Sequence, residues 1–382
     1  MIFCAGISAA DSQKTVANAQ EAPKKPQVGV YVQYLARHGQ DPVEYLVNLF
    51  DKYDVVVFME SMHVEQGQYD YLGKVIAHPK FAKLVRAVFT EVGCAGQQPL
   101  MDAFLSSPAL DDQLLIKINR VNVWPLGWSY ANTINFWKQI WQVNSKLSPD
   151  MKIWAYLTDQ WSWDKIKTPQ DYQKAEAALI GRDRWMADNI INAIERQNDT
   201  VNKKHKFLVI MNARHAFGLA LNRNGKGDNV GRYLKLKWPG RVGNVFQHYF
   251  VPVAEDTTLI HDGLWDAAFY LNGDKPAGFD LKGSPFGQDV FDFYGNLYSS
   301  GNTYETVFDG MVFLGPLKDR MLSGPYPGFY DPAYDQQVKE RCAVSNQEYM
   351  DTALLAQENA RPACSESCKK TIDDAISAWK KQ

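Results

Sequence analysis

The fold follows from one stretch of the chain, Asp54-Val55-Val56-Val57-Phe58-Met59-Glu60-Ser61-Met62-His63. Five apolar residues in a row between polar ones are typical of an interior strand of a parallel sheet. In such sheets, catalytic and ligand-binding groups lie just beyond the carboxyl ends of the strands. Glu60 and His63 follow this predicted strand and are three residues apart. We therefore expect both side chains at that edge of the sheet.

Three further apolar runs also end in, or lead to, a polar residue. Residues 84–91 end in Glu91, residues 207–211 lead to His215, and residues 152–157 lead to Asp159. Because the carboxyl ends of parallel strands meet at one edge, these groups should converge. The sequence therefore predicts an active site at this edge.

Strands alternate with helical patterns along most of the chain, which predicts an α/β fold. We expect a mostly parallel central sheet with helices on both faces. The predicted strands are 55–59, 88–90, 152–157, 207–211, 244–250 and 312–314. A single long helix is predicted over 170–197, and residues 252–285 are predicted to form long loops. We divide the chain into a tail (1–27), an α/β domain (28–330) and a helical extension with cysteines (331–382).

The composition excludes some classes of partner. The 382 residues include 41 Lys and Arg against 43 Asp and Glu, so there is no basic field to attract nucleic acid. Nowhere do 18 apolar residues run together, which argues against a transmembrane segment. A small-molecule or peptide substrate is the partner that we expect.

The amino-terminal tail has two interpretations. Residues 2–10 are apolar or small, and a polar segment follows, as in the remnant of a signal peptide. That interpretation predicts a periplasmic or secreted protein, and the alternative is a disordered cytosolic tail. Loss of Cys4 on cleavage would leave an even set of four cysteines, Cys94, Cys342, Cys364 and Cys368. Either Cys364 or Cys368 could then pair with Cys342, and reduced thiols are the alternative.

Four short motifs follow one another along the chain. They are Glu60-x-x-His63, then Glu91-Val92-Gly93 with Gln97 or Gln98 after it, then Arg182-Asp183-x-x-Met186-Ala187-x-Asn189, then Asn212-Ala213-x-His215-Ala216. In this order they resemble the erythromycin esterase-like superfamily, which groups those esterases with ChaN-like haem-handling lipoproteins and Tiki-type proteases. Residues 308–314 are similar to that group's last strand. Met59 stands where these families usually have glycine, as in a divergent member.

The residues themselves favour hydrolysis. A neutral imidazole held by a carboxylate is a competent general base near neutral pH, and Glu60 or Glu91 would orient His63. A water deprotonated by His63 would attack an ester or amide carbonyl. Arg182 would stabilise the oxyanion or anchor a substrate carboxylate, and His215 would complete the site as a base partner or oxyanion stabiliser. We expect these five residues to be catalytic, and no serine or cysteine stands in a nucleophile motif.

Two other functions remain open at this point. Glu60, His63, Glu91 and His215 are ligand types that hold a divalent metal. The resemblance to Tiki-type proteases implies metal-dependent peptide hydrolysis, and the resemblance to the haem-handling branch implies non-catalytic binding of haem or another hydrophobic ligand.

Residues that would contact the substrate come from the same edge. We predict this role for Asp159, Gln97 and Trp128. Structural interpretations compete with the functional ones, since His63 could be a core histidine and Glu60 a helix cap. His248 and His261 have no recognisable neighbours in sequence.

Overall fold

The structure, a computed structural model, describes residues 27–122, 124–201, 205–221, 225–251, 258–294 and 301–381. The expected signal-peptide remnant lies outside the described residues, apart from its last position. Within the part of the chain that is described, no helix has both the length and the apolar character needed to cross a membrane.

A seven-stranded sheet forms the centre of the molecule, in the order β3-β2-β4-β1-β5-β7-β6. Six strands are parallel, and β6 at one edge runs antiparallel to β7. The strands are β1 (Val55–Glu60), β2 (Val85–Cys94), β3 (Trp154–Asp159), β4 (Lys206–Asn212), β5 (Val242–Gln247), β6 (Ala277–Asp280) and β7 (Gly310–Phe313), and a small ribbon pairs β8 (Met321–Leu322) with β9 (Arg361–Pro362). The predicted α/β fold is confirmed.

Helices connect the strands and cover the sheet. They are α1 (Val28–His38), α2 (Pro42–Lys52), α3 (Gln66–Ala77), α4 (Pro79–Leu84), α5 (Gln98–Ser106), α6 (Asp112–Arg120), α7 (Ala131–Asn144), α8 (Pro169–Ala178), α9 (Arg182–Val201), α10 (Val230–Lys237), α11 (Leu264–Leu271), α12 (Pro285–Gln288), α13 (Tyr304–Val307), α14 (Pro332–Ser345), α15 (Thr352–Leu355) and α16 (Glu366–Trp379). Several begin at a residue whose side chain caps the first turn. Asp41 caps α2 by accepting from two backbone amides, and Pro42 fills its first position.

Both faces of the sheet are buried, as the unbroken apolar run in β1 predicts. Val55, Val57 and Met59 belong to one hydrophobic cluster, and Val56 and Phe58 belong to another on the opposite face. The first cluster includes side chains of α1, α9, α11 and α16, and the second includes side chains of α2, α3, α7 and α14. Helices therefore pack on both faces.

Three predictions about elements are wrong. Residues 252–285 are not long loops throughout, because α11 and β6 lie within them. The helix predicted over 170–197 is two helices, since a 3-10 turn (Leu179–Gly181) separates α8 from α9. β2 extends four residues beyond its predicted end, so Glu91 lies inside a strand and not after it.

The carboxyl-terminal segment packs into the same hydrophobic clusters as the sheet. Cys342 of α14 lies in one cluster, and Cys364 and Cys368 lie in the other. A disulfide joins Cys364 to Cys368, so the pairing expected with Cys342 is wrong. Cys94 and Cys342 are buried free thiols.

A bulge in β2 sets the direction of Glu91. Thr90 is opposite Leu157 and Cys94 is opposite Asp159, so residues 91–93 face the single residue Thr158 of β3. Gly93 takes up the irregularity at φ 115°, a conformation that side chains rarely adopt. Bulges re-aim side chains and often lie beside active sites.

Replacing Gly93 with alanine should lower the free energy of unfolding by about 2–4 kcal/mol. The positive φ strains an alanine, and its Cβ would lie 2.5 Å from Cδ2 of Leu157. Urea unfolding measures the change. Gly29→Ala is the control, because that glycine lies in α1 with open space around its Cβ position. Equal stability of the two variants would show that the bulge tolerates a side chain.

Candidate functional site

The three neighbouring strands β2, β4 and β1 deliver the first part of the site. Glu60 is the last residue of β1 and pairs in register with Asn212, the last residue of β4. Glu91 reaches the same edge from β2, where its Oε2 accepts a hydrogen bond from the Asn212 amide at 2.9 Å. His215 follows in the 3-10 turn after β4. The predicted convergence at the carboxyl ends is therefore present in the structure.

Glu60 and His63 form a close pair. Nδ1 of His63 lies 2.7 Å from Oε2 of Glu60, whose side chain is buried. The second carboxylate oxygen of Glu60 accepts from the hydroxyl of Tyr69 at 2.8 Å and from Nε2 of Gln68 at 3.4 Å. These bonds fix the carboxylate, and the carboxylate fixes the imidazole ring. His63 keeps 22% of its side chain exposed, so solvent reaches it.

Glu91 is the centre of the charge cluster. Its Oε1 lies 3.0 Å from Nη2 of Arg182, 3.4 Å from Nε2 of His215 and 3.8 Å from Nε2 of His63. Burial alone would raise the pKa of Glu91, but His215, Arg182 and His63 outweigh burial and hold this pKa well below its usual range. Glu91 is therefore ionised throughout the physiological pH range.

Arg182 is held by two carboxylates. Nε and Nη2 bond to the two oxygens of Asp159, each at 3.0 Å, and Nη2 also bonds to Glu91. This forked geometry is typical of arginine with a carboxylate. The break between α8 and α9 makes Arg182 the first residue of α9. Asp159, which is also a predicted substrate contact, anchors the guanidinium.

His215 is almost fully buried between two carboxylates. Nδ1 lies 2.8 Å from Oδ1 of Asp183, and Nε2 faces Glu91. Asp183 is in the first turn of α9, directly after Arg182. The Arg182-Asp183 pair therefore faces inward.

His63 carries a positive charge at neutral pH. Burial would lower the pKa of His63, but Glu60 and Glu91 more than compensate and raise it from 6.5 to about 9. This differs from the neutral imidazole expected from sequence. The cause is that Glu60 and Glu91 face opposite nitrogens of one ring, and Glu60, the nearer carboxylate, raises the pKa more.

The charge on His63 makes stability depend on pH. A pKa raised to about 9 from 6.5 stabilises the fold fully below pH 6.5, and this contribution is lost as the pH rises through 9. We expect the free energy of unfolding to fall by roughly 3 kcal/mol between pH 6 and pH 9.5. Urea titrations at several pH values measure this fall in the free energy of unfolding. In His63→Gln this part of the pH dependence should vanish, and an unchanged profile would contradict the assignment.

The other two predicted substrate contacts differ in position. The indole of Trp128 lies edge-on to the His63 ring, with centroids 4.9 Å apart, and is buried beside it. Gln97 bonds to Asp164, and its neighbour Gln98 bonds to the β3 backbone at Ala155 and Leu157. Trp128 therefore borders the site, whereas the described contacts of Gln97 and Gln98 are structural.

Sequence reasoning missed several groups near this edge. Tyr69 and Gln68 hold Glu60 from α3, and no local pattern marks them because the contact depends on how α3 packs. Glu65 is fully buried 3.8 Å from the guanidinium of Arg320, and burial raises its pKa despite that charge.

Two histidines without predicted neighbours also have acidic partners. Nε2 of His248 lies 3.1 Å from Asp266, and both residues are buried. Nδ1 of His261 lies 3.7 Å from Asp292, and its Nε2 lies 4.0 Å from Asp289. These partners are 18 to 31 residues away in sequence, beyond the reach of a local pattern.

Glu60, His63, Glu91 and His215, the predicted metal ligands, lie close together and pair with one another and with Arg182. Both ring nitrogens of His63 and of His215 face carboxylates, and Arg182 holds the position beside Glu91 where a cation would have to lie. Over the described ranges, no group of three or more His, Cys, Asp or Glu side chains is arranged to hold a metal ion.

Solved structures share this fold at low sequence identity. A succinoglycan biosynthesis protein is 9% identical and aligns over 78% of this chain and 98% of its own, with a TM-score of 0.53. A Bacillus cereus protein is 10% identical over 75% and 97%, with a TM-score of 0.49. A mutant of the erythromycin esterase EreC, in its open conformation, is 12% identical over 71% and 92%, with a TM-score of 0.47. No protein-family model and no curated protein matches the chain. The similarity is one of fold.

Proposed function

We propose that this protein hydrolyses an ester or amide bond with a water molecule activated by His63. The observation that carries the proposal is the position of Nε2 of His63. It lies 3.8 Å from Glu91, too far for a direct hydrogen bond, on a side chain that solvent reaches. A water bound between Nε2 and Glu91 would be held by both groups, and Glu60 would keep the ring oriented through Nδ1.

The proposed reaction begins with loss of the proton from His63. The neutral ring then accepts a proton at Nε2 from the bound water, which attacks the carbonyl carbon. The resulting oxyanion lies near Arg182, whose Nε and Nη2 are engaged by Asp159 and Glu91, so Nη1 is the nitrogen that would donate to it. His63, now protonated, donates its proton to the leaving group.

We also propose that the chain is a member of the erythromycin esterase-like superfamily. The erythromycin esterase-like order of Glu60-x-x-His63, Glu91, Arg182-Asp183 and His215 along the sequence is supported by their convergence at one edge of a shared fold. Haem or apolar-ligand binding is less well supported, because this edge is lined by four carboxylates and their cationic partners.

The test is hydrolysis of p-nitrophenyl acetate and butyrate between pH 6 and pH 10, corrected for hydrolysis in buffer alone. Because His63 must be neutral to act as a base, kcat/KM should rise about tenfold per pH unit and level off near pH 9. A flat profile would contradict a role for His63 as the base. Absence of hydrolysis of both esters and of short peptide amides would favour a binding protein.

A further inference from the structure

A polar cleft lies behind the Glu60–His63 pair, between helices α3 and α7. Its volume is about 220 Å³, which is room for about seven water molecules at roughly 30 Å³ each. It is lined from α3 by Gln66 and Asp70, from α7 by Asn135 and Gln139, and from the segment after α15 by Glu358 and Asn359. The chemistry proposed above uses none of these six side chains.

Helical spacing turns these groups toward one space. Gln66 and Asp70 are four residues apart on α3, as Asn135 and Gln139 are on α7, so each pair lies on one face of its helix. The rings of Tyr69 and Phe136 are buried at the base of the cleft, with centroids 5.5 Å apart. The cleft therefore combines an apolar base with polar walls.

The cleft is connected to the candidate active site. Tyr69 lines the cleft and donates its hydroxyl to Glu60 at 2.8 Å. Asn132, which lines the cleft from α7, donates to the backbone oxygen of His63 at 2.8 Å and to that of Glu65 at 3.1 Å. A ligand in the cleft would thus contact two side chains that hold the catalytic loop.

The charge of the walls selects against anions. The two charged residues among the described residues that line the cleft are Asp70 and Glu358, and neither Lys nor Arg lines it. Carboxylates accept hydrogen bonds, whereas side-chain amides both donate and accept them. Oε1 of Gln139 has no hydrogen-bond partner in the described part of the chain, but it is packed against Gly73 of α3 and closed to solvent.

We propose that the cleft binds a neutral carbohydrate through its hydroxyl groups. Each sugar hydroxyl is both a donor and an acceptor, which matches the amides of Gln66, Asn135 and Asn359. Asp70 and Glu358 accept from hydroxyls and repel phosphorylated or acidic ligands. The volume fits a single sugar unit. The proposal concerns binding and does not depend on hydrolysis.

The test is saturation-transfer NMR on the full chain with glucose, galactose and maltotriose. We expect transfer to at least one of the three sugars. Asn135→Ala and Asp70→Ala should each weaken that binding about tenfold, because each removes hydrogen-bonding groups from an exposed side chain. The control is Asn48→Ala, an exposed asparagine on α2 away from the cleft residues, which should bind as the wild type does.

Each other outcome overturns the proposal. Absence of transfer to all three sugars would exclude a carbohydrate site of this kind. Undiminished binding in both cleft variants would place the sugar elsewhere, and glucose 6-phosphate binding as tightly as glucose would contradict the role of the acidic walls. Circular dichroism shows whether the variants are folded. Since the readout is binding, failed ester hydrolysis leaves this result intact, and failed sugar binding leaves the proposed hydrolysis intact.

Discussion

Glu91→Gln should lower the free energy of unfolding by about 3 kcal/mol at pH 7. The substitution keeps the shape of the side chain and its acceptor for the Asn212 amide, but removes the charge that faces Arg182, His215 and His63. Breaking a buried ion pair costs about 3–5 kcal/mol. We expect a loss at the lower end of this range, because each of the three side chains still has another carboxylate partner in the variant. These partners are Asp159 for Arg182, Glu60 for His63 and Asp183 for His215.

Urea unfolding of the variant measures this loss, with Asp188→Asn as the matched control. Asp188 also pairs with an arginine, Arg184, but both side chains are exposed, so its loss should change stability by less than about 0.5 kcal/mol. The same Glu91 variant should also show a lower pKa for His63, because one of the two carboxylates that raise it is gone. Equal stability of the two variants would show that the cluster contributes nothing to folding.

The central part of the fold could be predicted from sequence because it depends on local pattern. An unbroken apolar run marks β1 as a strand buried on both faces, and the polar residue at its end marks the functional edge. Edge elements lack this signal. Ala277–Asp280, the antiparallel edge strand β6, is four residues long and contains a glycine, so its apolar pattern is too short to separate from loop.

The site was partly predictable for the same reason. Glu60 ends β1, Glu91 lies near the carboxyl end of β2, and His63 and His215 follow β1 and β4, so their convergence follows from topology. The charge of His63 could not be read from sequence, because it requires Glu60 and Glu91 to face opposite nitrogens of one ring. That geometry arises from the β2 bulge at Gly93, which is a tertiary feature. Tyr69 was missed because its hydroxyl reaches Glu60 through helix packing and not through spacing.

His63→Gln should lower kcat/KM for ester hydrolysis by about 10²- to 10⁴-fold, the usual contribution of a general base. Glutamine fills a similar space but cannot accept the proton from water at any accessible pH. KM should change little, because the base contributes to the transition state and not to substrate binding. Steady-state kinetics at pH 9 measure both, since wild-type His63 is then about half neutral.

Comparing the stability of the variant and the wild type across this pH range separates an effect on catalysis from an effect on folding. Below pH 6.5 the variant should be less stable than the wild type, because it lacks the imidazolium between Glu60 and Glu91, and by pH 9.5 most of this difference should have disappeared. A rate loss that persists where the two proteins are equally stable is therefore chemical. His38→Gln is the control, because His38 is an exposed histidine of α1 stacked on Tyr34, and it should keep the wild-type rate. If the His63→Gln variant were fully active, His63 would not be the base and His215 would be the next candidate. The same kinetics on a His215→Gln variant would test that role.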